Sequence, residues 1–104
     1  MVKVFISQPM QGIPKEIIES TRDNAINQIK EIYNNEEVVI LDSYFPNYNP
    51  TEGNQPIKYL AKAIDVLAEA DVMFMCNGWC NSRGCTIEHT IAAAYNIPIL
   101  EEVV

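Results

Sequence analysis

The feature that most constrains the fold of this chain is an alternation of short apolar runs with stretches of helical periodicity. The apolar runs predict four strands, at Val2–Ile6, Val38–Leu41, Val72–Met75 and Pro98–Leu100. Three helices are predicted between them. The first runs from Pro14 to Asn34 and the third from about Gly84 to Tyr95. The second has one apolar face, formed by Ile57, Leu60, Ala61, Ile64, Leu67 and Ala68. This order favours a parallel sheet with right-handed crossovers and helices on both faces. We therefore expect one three-layer α/β domain over residues 1–104, of Rossmann or flavodoxin type.

The net charge of the chain limits the kinds of partner that it can bind. The formal net charge is −7, which argues against a basic groove that follows a nucleic acid polymer. Arg22 and Arg83 are the only arginines, so a single phosphate is a better fit than a polymer. Neither a secretory signal nor an apolar stretch of membrane length is visible, which predicts a cytoplasmic protein without a membrane partner.

Three cysteines, Cys76, Cys80 and Cys85, suit a reducing compartment better than a disulfide framework. Cys85 and His89 share a helix face, which would permit a metal site. The close Cys-x-x-Cys pair of most zinc sites is missing, however, and free cysteines are common in cores. We predict no metal centre and no cofactor.

The predicted topology indicates where a ligand-binding or active site would lie. In open parallel sheets, ligands bind outside the carboxyl ends of the strands, near the point where the strand order reverses. Three loops leave from those ends, at 7–13, 42–55 and 76–83. The second loop is long, as many binding loops and lids are. Its Asp42 and Tyr44 are candidates for contact with a ligand, although Asp is also a routine turn residue.

The strongest candidate for chemistry is Glu88, about one turn into the third helix. Its neighbours along that helix are mostly apolar, so packing does not require a charge there. The positive end of the helix dipole predicts that this carboxylate is ionised at neutral pH. A carboxylate nucleophile suits glycosyl transfer, in which an oxocarbenium-like centre is captured as a sugar ester. The alternative is that Glu88 only complements the helix dipole.

The turn before this helix is of the kind that receives an anion, since a helix start offers free backbone N–H groups. Ser82 is either a helix cap or a phosphate contact, and both use the same geometry. Arg83 is either a phosphate contact or a solvated side chain, and Gly84 predicts a close backbone approach or an unusual φ. Upstream, Gly78 precedes Trp79, which is a stacking surface for a base or an interface anchor.

These residues carry a resemblance. The run Ser82-x-Gly84-x-x-x-Glu88-x-x-x-Ala92, with Ala70-Asp71-Val72 leading into the strand, resembles nucleoside 2-deoxyribosyltransferases and the related 2'-deoxynucleoside 5'-monophosphate N-glycosidases. The transferases carry Asp-x-Gly-Thr-x-x-Glu-x-Gly-x-Ala there, with the Glu as nucleophile. Short phage and bacterial proteins with a Gly-Trp-x-x-Ser-x-Gly-x-x-x-Glu signature look most similar.

The resemblance implies roles for several residues. Glu88 would be the nucleophile, and Ser82 in place of the Asp looks like the N-glycosidase branch, where a Ser holds the 5'-phosphate. The opening loop resembles the family's substrate loop, which implies substrate contacts there from Ser7, Gln8, Pro9, Met10 and Gly12. Relatives continue beyond the fourth strand with elements that close the pocket. Here the loop 42–55 or a second subunit would have to complete the site, which implies a homodimer or larger homo-oligomer.

Two functions from different classes follow. The first is cleavage or transfer at the N-glycosidic bond of a nucleoside or nucleoside 5'-monophosphate. The second is a nucleotide-binding module of the same fold without turnover. It is motivated by Ala63, which stands where the family has an acid at the start of the second helix; Asp65 lies on nearly the opposite helix face.

Overall fold

A computed structural model describes all residues, 1–104. Four strands and three α-helices alternate along the chain, in the predicted order. They are β1 (Val2–Ser7), α1 (Lys15–Ile32), β2 (Val38–Ile40), α2 (Gln55–Leu67), β3 (Val72–Met75), α3 (Arg83–Ala94) and β4 (Ile99–Glu101), with a 3-10 turn at Trp79–Asn81 before α3. The predicted fold class is confirmed, and the predicted ends are off by one or a few residues.

The four strands form one parallel sheet in the order β2-β1-β3-β4. The connection through α1 runs from β1 to one edge, and the connection through α2 crosses back to the other side of β1. The strand order therefore reverses between β1 and β3. This places the expected ligand site at the carboxyl ends of those two strands.

The two faces of the sheet bury separate apolar clusters, because successive side chains of a strand point to opposite faces. On the α1 face the buried residues are Val4, Ile6, Ala25, Ile29, Val72, Phe74 and Cys76. On the other face, covered by α2 and α3, they are Phe5, Ala63, Leu67, Met73, Met75, Cys85 and Ala92. The result is the predicted three-layer arrangement. β2 is only half-buried, since it lies at the edge of the sheet rather than within it.

Local signals set the helix starts that face the ligand end of the sheet. The Asn54 side chain accepts a hydrogen bond from the backbone N–H of Ile57 at 3.1 Å and so caps α2. Ser82 caps α3 in the same way, accepting from the N–H of Cys85 at 3.4 Å. Gly78 has a φ of 86°, a left-handed conformation that suits glycine, and it turns the chain from β3 into the 3-10 turn.

None of the helices combines the length and the apolar character that a membrane crossing requires.

Candidate functional site

A cavity of about 1130 Å³ opens at the carboxyl ends of the central strands. Its wall is built from the loops that follow β1, β2 and β3, together with the first turns of α2 and α3. Ile57 is 61% exposed on its rim, so the cavity is open to solvent. It therefore lies at the place that the parallel topology predicts for a ligand.

Glu88 is the one acidic residue in the wall of this cavity. It is the sixth residue of α3 and only 8% exposed. Ser7, the last residue of β1, is 1% exposed, and its hydroxyl donates a hydrogen bond of 2.7 Å to Oε1 of Glu88. A buried carboxylate is thus held from behind by the central strand.

The ionisation state of Glu88 differs from the prediction. Burial raises the pKa of Glu88 to about 7, and the hydrogen bond from Ser7 opposes that rise without cancelling it. The expectation of a fully ionised carboxylate is therefore not met, because the cost of burial outweighs the helix dipole, whose effect fades beyond the first turn of α3. Near neutral pH both protonation states are populated, and such a group can serve as nucleophile, base or acid.

The turn before α3 contributes Gly78, Ser82, Arg83 and Gly84 to the wall. The Ser82 side chain caps the helix, as one of its two interpretations predicts. Arg83 is exposed and has no ion-pair partner. The unusual φ predicted for Gly84 is not found, since Gly84 is helical, and a Cβ there would meet no atom within 4 Å. The space above this helix start is open.

The remaining candidates divide between the cavity and its surroundings. Gln8, Pro9, Met10 and Tyr44 line the cavity. Ser7, Gly12, Asp42 and Trp79 do not line it: Ser7 lies behind Glu88, while Gly12 and Asp42 are exposed.

Trp79 has partners within the protein. Its ring is stacked on His89, with the ring centroids 4.4 Å apart and the planes inclined by 7°. Its Nε1 donates to Oε1 of Glu101 at 3.0 Å. One face of the indole is therefore covered by His89, and the fold uses this side chain to join α3, β4 and the third loop.

The long second loop is fastened to α2. The ammonium group of Lys62 lies 5.0 Å from the ring centre of Phe45 and 5.1 Å from that of Tyr48. The Tyr59 hydroxyl donates to the Tyr48 carbonyl. Phe45 and Tyr59, together with Tyr44, form an aromatic part of the cavity wall. Aromatic faces of this kind suit a planar base.

Sequence reasoning missed Arg22 and Ser43. Nη1 of Arg22 donates to Ser43 Oγ at 3.2 Å and to Gln8 Oε1 at 3.4 Å, while Nη2 donates to the Leu41 carbonyl at 3.0 Å. A signal was present: Arg22 is four residues after Ile18 and three before Ala25, on the face of α1 that packs against the sheet. The position of a charged residue on an otherwise apolar helix face indicates a buried polar network, which the residue type alone does not.

The cysteines are unpaired, with Cys76 and Cys85 buried and Cys80 exposed. Burial raises the pKa of Cys76 to about 12 and also raises that of Cys85. Thiols of this kind are poor nucleophiles and poor metal ligands, because both roles need the thiolate. No group of three His, Cys, Asp or Glu side chains is arranged to hold a metal ion.

Comparison with known families adds one finding. The family described as Domain of unknown function (DUF4406) matches residues 2–101, which is nearly the whole chain. The chain belongs to this family. No curated protein and no solved structure matches the chain significantly.

The matched part of this DUF4406 chain includes every strand and helix that builds the cavity. What the cavity of this DUF4406 member can do chemically follows from its polar groups. It offers one carboxylate of raised pKa, the Arg83 guanidinium, a helix start and several hydroxyl and amide groups, among largely apolar walls. Such a site can hold a small polar ligand with an anionic end and present a carboxylate to it.

Proposed function

We propose that the protein cleaves or transfers at the N-glycosidic bond of a 2'-deoxynucleoside or its 5'-monophosphate, with Glu88 as the nucleophile. The observation that supports it most is the buried Glu88 carboxylate in the cavity wall at the reversal of strand order, held by Ser7. A carboxylate with a fixed orientation and an incomplete set of hydrogen bonds is suited to attack a carbon that develops positive charge.

The reaction has two steps. A carboxylate oxygen of Glu88 bonds to C1' while the bond from C1' to the base breaks, and the bonding electrons leave with the base nitrogen, which takes up a proton. Water then attacks C1' and gives up a proton, while the ester bond from C1' to Glu88 breaks and its electrons return to the carboxylate. The net change is one water consumed and one free base and one free sugar formed. If the nitrogen of a second base replaces the water, the outcome is transfer.

The start of α3 supports a 5'-monophosphate over an uncharged nucleoside. Phosphate must approach a protein of net charge −7, so it needs local compensation. Arg83 and the free N–H groups at the start of α3 offer that compensation at the cavity wall. Ser82, the N-cap residue of α3, also lies in the cavity wall at this helix start.

A non-catalytic nucleotide-binding protein is the second candidate. The observation that favours it is the absence of a second carboxylate from the cavity wall. Ala63, which stands where the resembling transferases have an acid, is buried in the apolar cluster under α2 and α3. A departing base would have to take its proton from water or from a tyrosine hydroxyl of the cavity wall.

We also propose that the protein works in the cytoplasm as a homo-oligomer. Its three cysteines are free, as a reducing compartment favours. Ile57, Tyr59 and Ile87 are exposed at the cavity, where a second copy would cover them. Sedimentation at working concentration tests this, and a fully active monomer would contradict it.

The deciding experiment is incubation with a panel of ribo- and deoxyribonucleosides and their 5'-monophosphates, followed by chromatography for free base. Hydrolysis releases base from one substrate, and transfer requires a second base. Acid-quenched samples are digested and examined by mass spectrometry for a sugar ester on the peptide that contains Glu88. Tight binding of a nucleotide with neither free base nor adduct would favour the binding protein.

A further inference from the structure

Arg22 is a cation on the apolar face of α1, next to the buried Ile18 and Ala25. No carboxylate pairs with it, since the only ion pair within 4.0 Å in the protein joins Lys15 to Glu19. Burial lowers the pKa of Arg22 from its usual value, which reflects the cost of taking the guanidinium out of water. All of its hydrogen bonds go to neutral groups, while the Asp42 carboxylate acts on its charge from beyond ion-pair distance.

Those hydrogen bonds join two of the three loops that build the cavity. Nη1 reaches Gln8 in the loop after β1 and Ser43 in the loop after β2, and Nη2 reaches the carbonyl of Leu41, directly after β2. One side chain on α1 thus connects the carboxyl ends of two neighbouring strands.

The network also determines which atoms its members can offer. A guanidinium only donates, so the amide oxygen of Gln8 must face Arg22, and Nε2 of Gln8 donates to the Ile18 carbonyl at 3.0 Å. The Ser43 hydroxyl donates to the Ile6 carbonyl at 2.9 Å, which leaves its oxygen to accept from Arg22. The amide cannot flip and the hydroxyl cannot rotate without losing a bond.

Gln8 and Ser43 are both 6% exposed, and both line the cavity, whereas Arg22 does not. We infer that Arg22 is a positioning residue for ligand recognition: it locks the Gln8 amide and the Ser43 hydroxyl into one orientation. The cavity wall then presents a single hydrogen-bonding pattern to the polar edge of the nucleoside. The identity of that ligand rests on the proposed function, but the locking is a property of the free protein.

The first test needs no ligand. The side-chain amide protons of Gln8 are assigned by NMR from the signals that disappear in Gln8→Ala. In the wild type we expect both signals to lie well away from their positions in free glutamine, because Nε2 donates to the Ile18 carbonyl and Oε1 accepts from Arg22. Arg22→Met keeps a long apolar stem but has no donors, so the signals should move toward those of a free glutamine. Lys30→Met, which removes an exposed cation from the same helix, should leave them unchanged.

The second test measures recognition. For the nucleotide that the panel identifies, Arg22→Met should raise KM by about tenfold or more, the loss expected from disordering polar contacts. kcat should change by less than about threefold, and Arg22→Lys should recover part of the affinity. In a Gln8→Ala background, Arg22→Met should have much less effect, since the group that it positions is already gone.

The outcomes separate this inference from the proposed function. A folded Arg22→Met protein with wild-type Gln8 signals would overturn the inference, as would additive effects of the two substitutions on KM. If the wild type turns over no nucleotide, the proposed function fails, while the NMR result still decides whether Arg22 locks Gln8. If Arg22→Met does not fold, Arg22→Lys takes its place, because a single ammonium cannot satisfy three acceptors with the geometry of a guanidinium.

Discussion

Each face of the sheet holds one charged side chain close to the cavity, the half-buried Arg22 on one face and the buried Glu88 on the other, and the two are treated differently. On the α1 face, Arg22 makes hydrogen bonds to three residues and does not line the cavity. On the opposite face, Glu88 has a single side-chain hydrogen bond, from Ser7, and does line it. Both lose solvation, but the protein replaces the lost water more completely for Arg22.

This difference in the number of hydrogen bonds distinguishes a charged group with a structural role from one with a reactive role. A buried ion whose hydrogen bonds are supplied by the protein stays charged and organises its surroundings. A buried ion with few partners shifts its pKa toward neutrality, and it retains the capacity to bond to something else. For Glu88 that shift brings the pKa to about 7. The comparison predicts that changes at Glu88 act on chemistry, whereas changes at Arg22 act on orientation.

The largest expected effect is that of Glu88→Gln on turnover. The amide keeps the shape and most of the hydrogen bonding, but it cannot form the sugar ester. We expect turnover to fall by at least about three decades, roughly 4 kcal/mol of barrier. Steady-state kinetics and nucleotide affinity are measured together, and affinity should stay near the wild-type value.

The control for this substitution is Glu31→Gln, an exposed residue of α1 at which no loss is expected. If Glu88→Gln retained wild-type turnover, Glu88 would not be the nucleophile. The carboxylate would then be a structural group like Arg22, and the contrast between the two faces would disappear.

The second effect is on stability and follows from linkage. The pKa of Glu88 is about 7 in the folded protein against an ordinary 4.5, so the folded state holds its proton more tightly than the unfolded state. This contribution to stability is fully present below pH 4.5 and is lost as the pH rises through about 7. At about 1.4 kcal/mol per pKa unit, the loss is on the order of 3 kcal/mol.

The free energy of unfolding is measured with denaturant for wild type and Glu88→Gln at pH values from 4 to 8. The difference between the two proteins isolates the contribution of Glu88, because the other groups titrate alike in both. We expect the wild type to lose about 3 kcal/mol relative to the variant over that range. Parallel pH dependences would mean that Glu88 is solvated like a surface carboxylate.

The third effect is on the affinity for phosphorylated ligands and concerns the residues at the start of α3. Ser82→Ala and Arg83→Gln should each weaken 5'-monophosphates by about one to two decades, because a charge-assisted hydrogen bond is worth about 1.5–3 kcal/mol. Unphosphorylated nucleosides should bind almost as before. Affinities measured by calorimetry for matched pairs of ligands test this, and equal losses for both classes would remove the phosphate from the proposal.

The smallest effect concerns the one partner of Glu88. Ser7 donates to the carboxylate and thereby lowers its pKa, so Ser7→Ala should raise that pKa further and move the acidic limb of the rate profile to higher pH. The rate should fall more at pH 6 than at pH 9. Ser20→Ala, an exposed serine whose hydroxyl bonds a helix carbonyl, serves as the control. An unshifted profile would show that Ser7 does not act on Glu88.

Much of the fold could be predicted from the sequence because strong local signals agree with the global topology. Apolar runs such as Val72–Met75 lie between segments of helical period, and their alternation specifies the parallel sheet and its ligand edge. The strand order could not be predicted in the same way, since nothing local to Val38–Ile40 shows that β2 is an edge strand.

The site was predictable only where a residue type and its position in an element coincide. Glu88 and the turn before α3 were identified because a helix start after a strand marks them. The raised pKa of Glu88 and the partners of Arg22 were not predictable, because both depend on contacts across the sheet; the sequence showed only that Arg22 lies on an apolar helix face. Ser7 is 81 residues from Glu88 in the chain, and Ser43 is 21 residues from Arg22.

Ser7 and Gln8 are consecutive residues that serve opposite faces of the sheet, one bonded to Glu88 and the other to Arg22. Because the side chains of a strand alternate, deleting or inserting one residue in β1 would exchange the two faces. The serine would then meet the guanidinium, and the glutamine would meet the carboxylate. The length of β1 is thus part of the site, and we expect this strand to tolerate volume-conserving substitutions of its buried apolar residues far better than a change of one in its residue count.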